Sequence, residues 1–230
     1  MNILALDSSG EIVSAAIAVE SASWYIEIEA GLSHSELLLE CVNNLCKTAG
    51  LNPKDLNLVS CMKGPGSFTG LRIGFSAAKG IAMALDIPLI SIPTLDCLAY
   101  PFSMWPGIVM PVIDAKKGCF FSAFYRNGKQ ITDYSDSSPK TLADMAVKVI
   151  DFPNEPILIT GGGAELLYSK FISSFQNGNI RIDPGYRRGS AKELLEMAKS
   201  AIFNGQNDIN IGPAYLRKSD AELNFKVDGL

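Results

Sequence analysis

The sequence predicts an α/β protein built as two units, and three observations carry that reading. Each half opens on antiparallel strands, each later runs strand, glycine turn, helix, and prolines and aromatics crowd the stretch from Pro101 to Pro106 between them. The predicted units are residues 1–103 and 104–212, with 213–230 as a tail that packs back on the first unit. With 47% hydrophobic residues and a mean hydropathy of +0.17, the 230-residue chain has the apolar side chains to fill such a core.

Asn2 to Leu6 is a short apolar run closed by Asp7-Ser8-Ser9-Gly10, and Ile12 to Val19 resumes it, which reads as a hairpin. Trp24 to Ala30 alternates Trp24, Ile26 and Ile28 with Tyr25, Glu27 and Glu29, the period of a half-buried strand. Ser33-His34-Ser35-Glu36 has the spacing of a capping box. The helix behind it carries Leu37, Leu38, Cys41, Val42, Leu45, Cys46 and Ala49 as one stripe and ends at Gly50. Asn52-Pro53 then turns the chain into a strand over Leu56 to Met62.

Gly64 to Gly74, Gly-Pro-Gly-Ser-Phe-Thr-Gly-Leu-Arg-Ile-Gly, leads from that strand into a helix over Ser67 to Asp86. Each glycine inside a helix costs about 1 kcal/mol relative to alanine, so close approach must offset it. At about 100° per residue, Gly70, Gly74, Ala77, Ile81 and Ala84 share one face and Leu71, Phe75 and Ala82 a second. The small-residue face predicts a close neighbour, either a helix or another chain. Ile87 to Ile92 reads as a buried strand and Thr94 to Tyr100 as a short helix.

In the second half, Ile108 to Ile113 and Cys119 to Tyr125 form a hairpin across Asp114 to Gly118, and Asn127-Gly128 turns into Gln130 to Tyr134. Thr141 to Ile150 is helical. Ile157 to Thr160 is a strand ending in Gly161-Gly162-Gly163, which opens a helix over Ala164 to Phe175. Ala191 to Asn204 is a last amphipathic helix, and Ile211 onward has no evident partner in its own unit.

Several functions are disfavoured by composition. The net charge is −4 and the basic clusters are only pairs, Lys116-Lys117, Arg187-Arg188 and Arg217-Lys218, which is a small footprint for an autonomous nucleic-acid binder. Five cysteines without a CxxC spacing sit in apolar segments and read as reduced core residues. A single histidine, His34, rules out a histidine-pair metal site or a Ser-His-Asp triad within one chain, and at a first helical turn it reads as a cap or surface residue. No apolar run approaches the roughly 20 residues of a membrane span, and no leader segment is evident, which predicts a cytoplasmic protein.

The glycine turn fails the standard phosphate templates. Its glycines fall at the first, third and seventh positions with no lysine, against Gly-x4-Gly-Lys-Ser/Thr for a P-loop and first, third and sixth for a dinucleotide fold. That favours a structural turn and packing face over nucleotide binding. Asp7, Ser8 and Ser9 suit either a phosphate or hydrated ion, or plain turn chemistry. Gly162 and Gly163, ahead of a helix, are the more phosphate-like or adenine-like feature.

Leu-Asp-Ser-Ser near the start, His-Ser-Glu on the first helix, the eleven-residue glycine motif, Thr94-Leu95-Asp96 with Leu98-Ala99, and Tyr215-Leu216-Arg217-Lys218 together resemble the TsaB (YeaZ) family. The resemblance implies an actin-like, heat-shock-ATPase-like fold of two mixed α/β lobes. It also implies a role in forming threonylcarbamoyladenosine next to the anticodon of tRNAs that read codons beginning with A, as non-catalytic partner and scaffold of TsaD, with TsaE in the larger assembly. In TsaD-like proteins a metal-binding histidine pair follows the strand after the glycine helix. Thr94 and Leu98 stand at those positions here, so no catalytic residue and no metal are expected.

The two N-terminal helices are expected to pair with those of TsaD, or with a second copy when TsaD is absent. The expected interface residues are His34, Glu36, Leu38, Cys41, Val42, Leu45, Gly70, Gly74, Ala77, Ala78 and Ile81, and Gly74→Leu is expected to block the partner while sparing the fold. Asp7, Ser8, Ser9, Gly162 and Gly163 keep the trace of a nucleotide site. No cofactor is expected beyond an adenine nucleotide at the partner interface, and tRNA is reached only through the complex. The alternative is an ATPase or glycoprotease of the same fold, with a small-molecule kinase as a third reading.

Overall fold

The computed structural model describes residues 1–29, 34–171, 179–186 and 188–217. The first lobe is a five-stranded sheet in the order β3-β2-β1-β4-β5. Its strands are β1 (Ile3–Asp7), β2 (Ile12–Val19), β3 (Ala22–Glu29), β4 (Leu58–Gly64) and β5 (Leu89–Pro93), with α1 (His34–Ala49), α2 (Phe68–Leu85) and α3 (Thr94–Ala99) following β3, β4 and β5. β1 pairs β2 and β2 pairs β3 antiparallel, whereas β4 runs parallel to both β1 and β5.

The second lobe repeats this plan. Its strands are β6 (Ile108–Asp114), β7 (Phe120–Ser122), β8 (Tyr125–Arg126), β9 (Lys129–Gln130), β10 (Ser135–Ser137), β11 (Ile157–Thr160) and β12 (Ile180–Ile182), its helices are α4 (Pro139–Val149) and α5 (Ala164–Phe171), and α6 (Ala191–Phe203) follows β12 in the chain. The sheet order is β10-β7-β6-β11-β12, with antiparallel pairs on the β7 side and parallel pairs on the β11 side, as in lobe 1. The small β8–β9 hairpin is an addition on β6. Two lobes of one sheet topology are the actin-like arrangement that the resemblance implies.

Side chains alternate across a strand, and that sorts the core of lobe 1 into two layers. Leu4, Leu6, Val13, Ala15 and Ile17 face α1 and α2, while Ile3, Ala5, Ala16 and Ala18 face the opposite side, where Leu194, Leu195 and Ala198 of α6 cover them. The smaller unit therefore does not run to residue 212, because α6 belongs by packing to lobe 1. α3, its counterpart in the repeat, lies between the sheets, where Leu95 and Ala99 pack on Val109, Ala123 and Tyr125. α6 thus crosses to lobe 1, whereas α3 keeps Cys97 in the lobe 1 core and turns Leu95 and Ala99 to lobe 2. A sequence reading by proximity misses this, since the helix connecting two units gives no signal of which sheet it covers.

Local chemistry explains the helix ends. Ser67 Oγ accepts from the Gly70 N–H at 3.2 Å and Ser138 Oγ from the Thr141 N–H at 3.2 Å, while Gly50, at φ +63°, ends α1. The capping box predicted at Ser33 lies outside the described residues. Cys41, Cys46, Cys61 and Cys97 are buried and Cys119 is half-buried, and burial pushes the first four thiols up. Among the described residues no helix is long and apolar enough to cross a membrane.

Candidate functional site

Between the lobes lies a cleft of about 960 Å³. Lobe 1 lines it with Asp7, Ser9, Gly66 to Leu71, Thr94 and Leu98; lobe 2 adds Asp114 to Lys117, Phe121, Gly162 and Glu165. Arg188 and Ser190 ahead of α6, and Ala214 to Arg217 beyond it, also line it.

Asp7, at the end of β1 and only 5% exposed, is engaged internally. Its Oδ1 accepts from the Ser9 N–H at 2.9 Å and Ser9 Oγ at 2.7 Å, and its Oδ2 accepts from the Ser190 N–H at 3.1 Å. The carboxylate therefore meets the positive end of α6 and ties that helix to the β1–β2 turn. Ser14 Oγ adds a second tie by accepting from the Ala191 N–H at 3.1 Å. Ser8 does not line the cleft, since its Oγ donates to the Gly70 carbonyl at 2.8 Å.

The glycine motif is built on that same turn. A Cβ on Gly66 would lie 2.6 Å from the Ser9 carbonyl, one on Gly74 would lie 2.5 Å from Ser8 Oγ, and one on Gly70 would collide with the Ser8 carbonyl oxygen. Gly64 has φ +113°, and a Cβ there would strike the carbonyl of Ala214. The Gly70 and Gly74 end of the small-residue face is thus filled by this chain's own β1–β2 turn. Gly70 and Gly74 are consequently not a partner surface, and Gly74→Leu would disrupt the fold rather than spare it.

The same correction applies to most of the expected interface on α1. Leu38, Cys41, Val42 and Leu45 are 0–7% exposed and hold α1 on the sheet, and Ala78 of α2 is fully buried. An apolar stripe at helical spacing reports the face that is buried, and here the chain's own sheet buries it. Glu36 is exposed, Ala77 and Ile81 are half-buried on the flank of α2, and His34 opens α1 with a side chain outside the described residues.

In lobe 2, Gly162 is exposed and lines the cleft, but Gly163 is buried against β6. The Gly163 N–H donates to the Val112 carbonyl at 3.0 Å, and a Cβ on Gly161 would lie 2.7 Å from that same oxygen. The triple glycine thus lets α5 approach β6. Opposite it, Lys116, Lys117 and Gly118 take φ of +60°, +54° and +77° between β6 and β7, and Lys116 Nζ pairs with Asp114 Oδ2 at 2.9 Å. That hydrogen bond raises the Lys116 pKa.

Thr94 and Leu98 both line the cleft, one at each end of the first turn of α3. Thr94 is 3% exposed, and its Oγ1 is a buried polar atom without a hydrogen-bond partner. A lone hydroxyl and an isobutyl group do not fit the metal that an imidazole pair would hold. No cluster of three or more His, Cys, Asp or Glu among the described residues is arranged to hold an ion.

Two ties between the lobes were not anticipated. Asp96 Oδ1 on α3 accepts from Tyr125 Oη at 2.5 Å and Tyr134 Oη at 2.6 Å, both from lobe 2. Burial, then the hydrogen bond to Asp96, raises both phenol pKa values. At the other end of the cleft Arg217 pairs with Asp136, Nε to Oδ2 and Nη2 to Oδ1, both at 2.6 Å. Asp96 and Arg217 lie in motifs visible in the sequence, but nothing local names partners 29 to 81 residues away.

The family model for TsaD, tRNA N6-adenosine threonylcarbamoyltransferase, matches residues 28–225. The tRNA threonylcarbamoyladenosine biosynthesis protein TsaB of Bacillus subtilis (strain 168) is 27% identical over 237 residues, covering 98% of this chain and 98% of that protein. The protein of the same name from Haemophilus influenzae is 32% identical over 230 residues, with 94% of each covered. The solved structure described as YeaZ from Pseudomonas aeruginosa superposes with a TM-score of 0.78 over 94% of this chain and 99% of that one, at 23% identity, and so supports the fold. Full-length similarity, the duplicated two-lobe topology and the glycine motif folded on the β1–β2 turn agree: the chain belongs to the TsaB (YeaZ) family, within the wider group that the TsaD model describes.

Proposed function

We propose that this chain is a partner subunit, without transfer chemistry of its own, in the assembly that forms threonylcarbamoyladenosine on tRNA. Its family gives it a role in that tRNA modification and in a TsaD-related complex. The observation that carries the non-catalytic reading is the cleft itself. Where a transferase would orient carbonyl and phosphate groups around a metal ion, this chain offers Thr94 and Leu98, and Asp7 is spent on Ser9 and Ser190.

In this reading the catalytic relative is TsaD, TsaE joins the larger assembly, and a second copy of this chain takes the TsaD place when TsaD is absent. tRNAs reading codons that begin with A are engaged through the complex, and an adenine nucleotide belongs at the partner interface. The docking face is the flank of α2 beside α1. Ala77 and Ile81 remain half-buried there, and Ala84 and Glu36 are exposed. Ala84→Arg and Ile81→Glu test it by size-exclusion chromatography with TsaD. Both should lose co-elution, Ala84→Arg with an unchanged melting temperature, and undiminished complex with both variants contradicts the docking face.

A further inference from the structure

After α6 the chain runs back along lobe 1. The Asp208 N–H donates to the Leu89 carbonyl, Lys79 Nζ to the Ile211 carbonyl at 3.3 Å, and the Ala214 N–H to the Lys63 carbonyl at 2.7 Å. The Tyr215 ring lies 4.7 Å from that of Phe68, Arg72 sits 3.9 Å above Phe68, and Arg72 Nε donates to Tyr215 Oη at 3.2 Å. Two residues later the chain is on lobe 2, where Arg217 makes its bidentate pair with Asp136 of β10, donates from Nη1 to the Ala115 carbonyl at 2.8 Å and lies 5.9 Å from the Phe121 ring. Ala214 to Arg217 line the cleft over this crossing.

We propose that residues 211–217 form a strap that sets how far the two lobes open, with Arg217–Asp136 as its latch. Two bodies tied at one place are free to change angle, and the Asp96 tie with Tyr125 and Tyr134, between α3 and lobe 2, is one such place. A second tie at the mouth removes that freedom. The fork geometry of a guanidinium on a carboxylate fixes direction as well as distance, which a single hydrogen bond does not. The pair is also accessible, with side chains 25% and 21% exposed, so it opens without unpacking a core. The strap's lobe 1 anchors, Arg72 and Lys79, are on α2, so whatever displaces Tyr215 from Phe68 loosens the mouth of the cleft. This inference concerns the chain alone and does not depend on the partner role.

The test measures lobe separation in the full chain by pulsed electron paramagnetic resonance. Spin labels are carried on p-acetylphenylalanine at positions 44 and 148, exposed sites on α1 and α4 that leave the native cysteines untouched. The unlatched chain should differ from the latched one. Arg217→Ala and the isosteric Asp136→Asn should each lengthen and broaden the distance distribution, and the exchange Arg217→Asp with Asp136→Arg should restore it. Single-variant distributions that superpose on wild type, or broadening that the exchange fails to reverse, would overturn the proposal. Asp136→Asn keeps the test decisive should Arg217→Ala alter the fold, which circular dichroism reports.

Discussion

Two glycines of α2 should respond to the same substitution with opposite signs. At Gly80 the position is exposed and an added Cβ meets nothing within 4 Å, so Gly80→Ala should gain the helix-propensity difference of about 1 kcal/mol. At Gly70 the Cβ collides with the Ser8 backbone carbonyl, and yielding to it also strains the hydrogen bond from Ser8 Oγ to the Gly70 carbonyl at 2.8 Å. Overpacking costs about 1–3 kcal/mol and a disturbed buried hydrogen bond about 1 kcal/mol more. Against the propensity gain of about 1 kcal/mol, Gly70→Ala should be destabilised by roughly 1–3 kcal/mol net. In a chain of this length 1 kcal/mol moves the melting temperature by about 2–4 °C. Scanning calorimetry should therefore show Gly80→Ala above wild type and Gly70→Ala below it by roughly 2–12 °C. A stable Gly70→Ala protein would refute the reading of the glycine motif as an internal packing device.

Arg126→Ala should be among the most damaging single changes in lobe 2. It strands Glu155, which is 3% exposed and accepts from Arg126 Nε at 3.0 Å and Nη2 at 2.9 Å, so about 3–5 kcal/mol should be lost in denaturant titration. Asp208 has its pKa lowered: burial acts to raise it, but donation from Ser91 Oγ, the Ser91 N–H and Gln206 outweighs that, with Lys63 adding to the effect. Its contribution is present above the ordinary carboxylate value of 3.8 and fades as pH falls through the lower folded value. Asp208→Asn should therefore reduce stability at neutral pH and flatten the acid limb of a melting-temperature profile. The raised phenols of Tyr125 and Tyr134 act at the other extreme, since their contribution is complete below the ordinary value of 10.0 and lost as pH rises past it. Absorbance at the phenolate band should show the two tyrosines ionising only together with unfolding, and Asp96→Ala should bring that transition to lower pH.

The elements of this fold were legible because their periods are strong. The apolar runs Asn2 to Leu6 and Ile12 to Val19, the alternation from Trp24 and the stripe of α1 place those elements within a residue or two. What the sequence does not encode locally is which surface covers which. The stripe Leu38, Cys41, Val42 and Leu45 has one appearance whether its cover is a sheet of the same chain or another subunit, and the structure puts it against β2 and β3. Likewise Gly70 and Gly74 state that something approaches closely, but Ser8 is more than 60 residues upstream and only the fold brings it there. The cleft residues Asp7, Ser9 and Gly162 were found from turn chemistry, whereas the tie residues Tyr125 and Asp136, on short strands, and Tyr134, just before β10, carry no motif.

The central claim, that this chain supports but does not perform the transfer, is most directly tested by reconstitution. Purified TsaD and TsaE with tRNA, threonine, bicarbonate and ATP-derived donor would be combined with and without this chain, and the nucleosides read by mass spectrometry. The account predicts threonylcarbamoyladenosine only when TsaD and this chain are both present, and none from this chain alone. Modified tRNA from this chain without TsaD, or equal yield from TsaD without this chain, would contradict it.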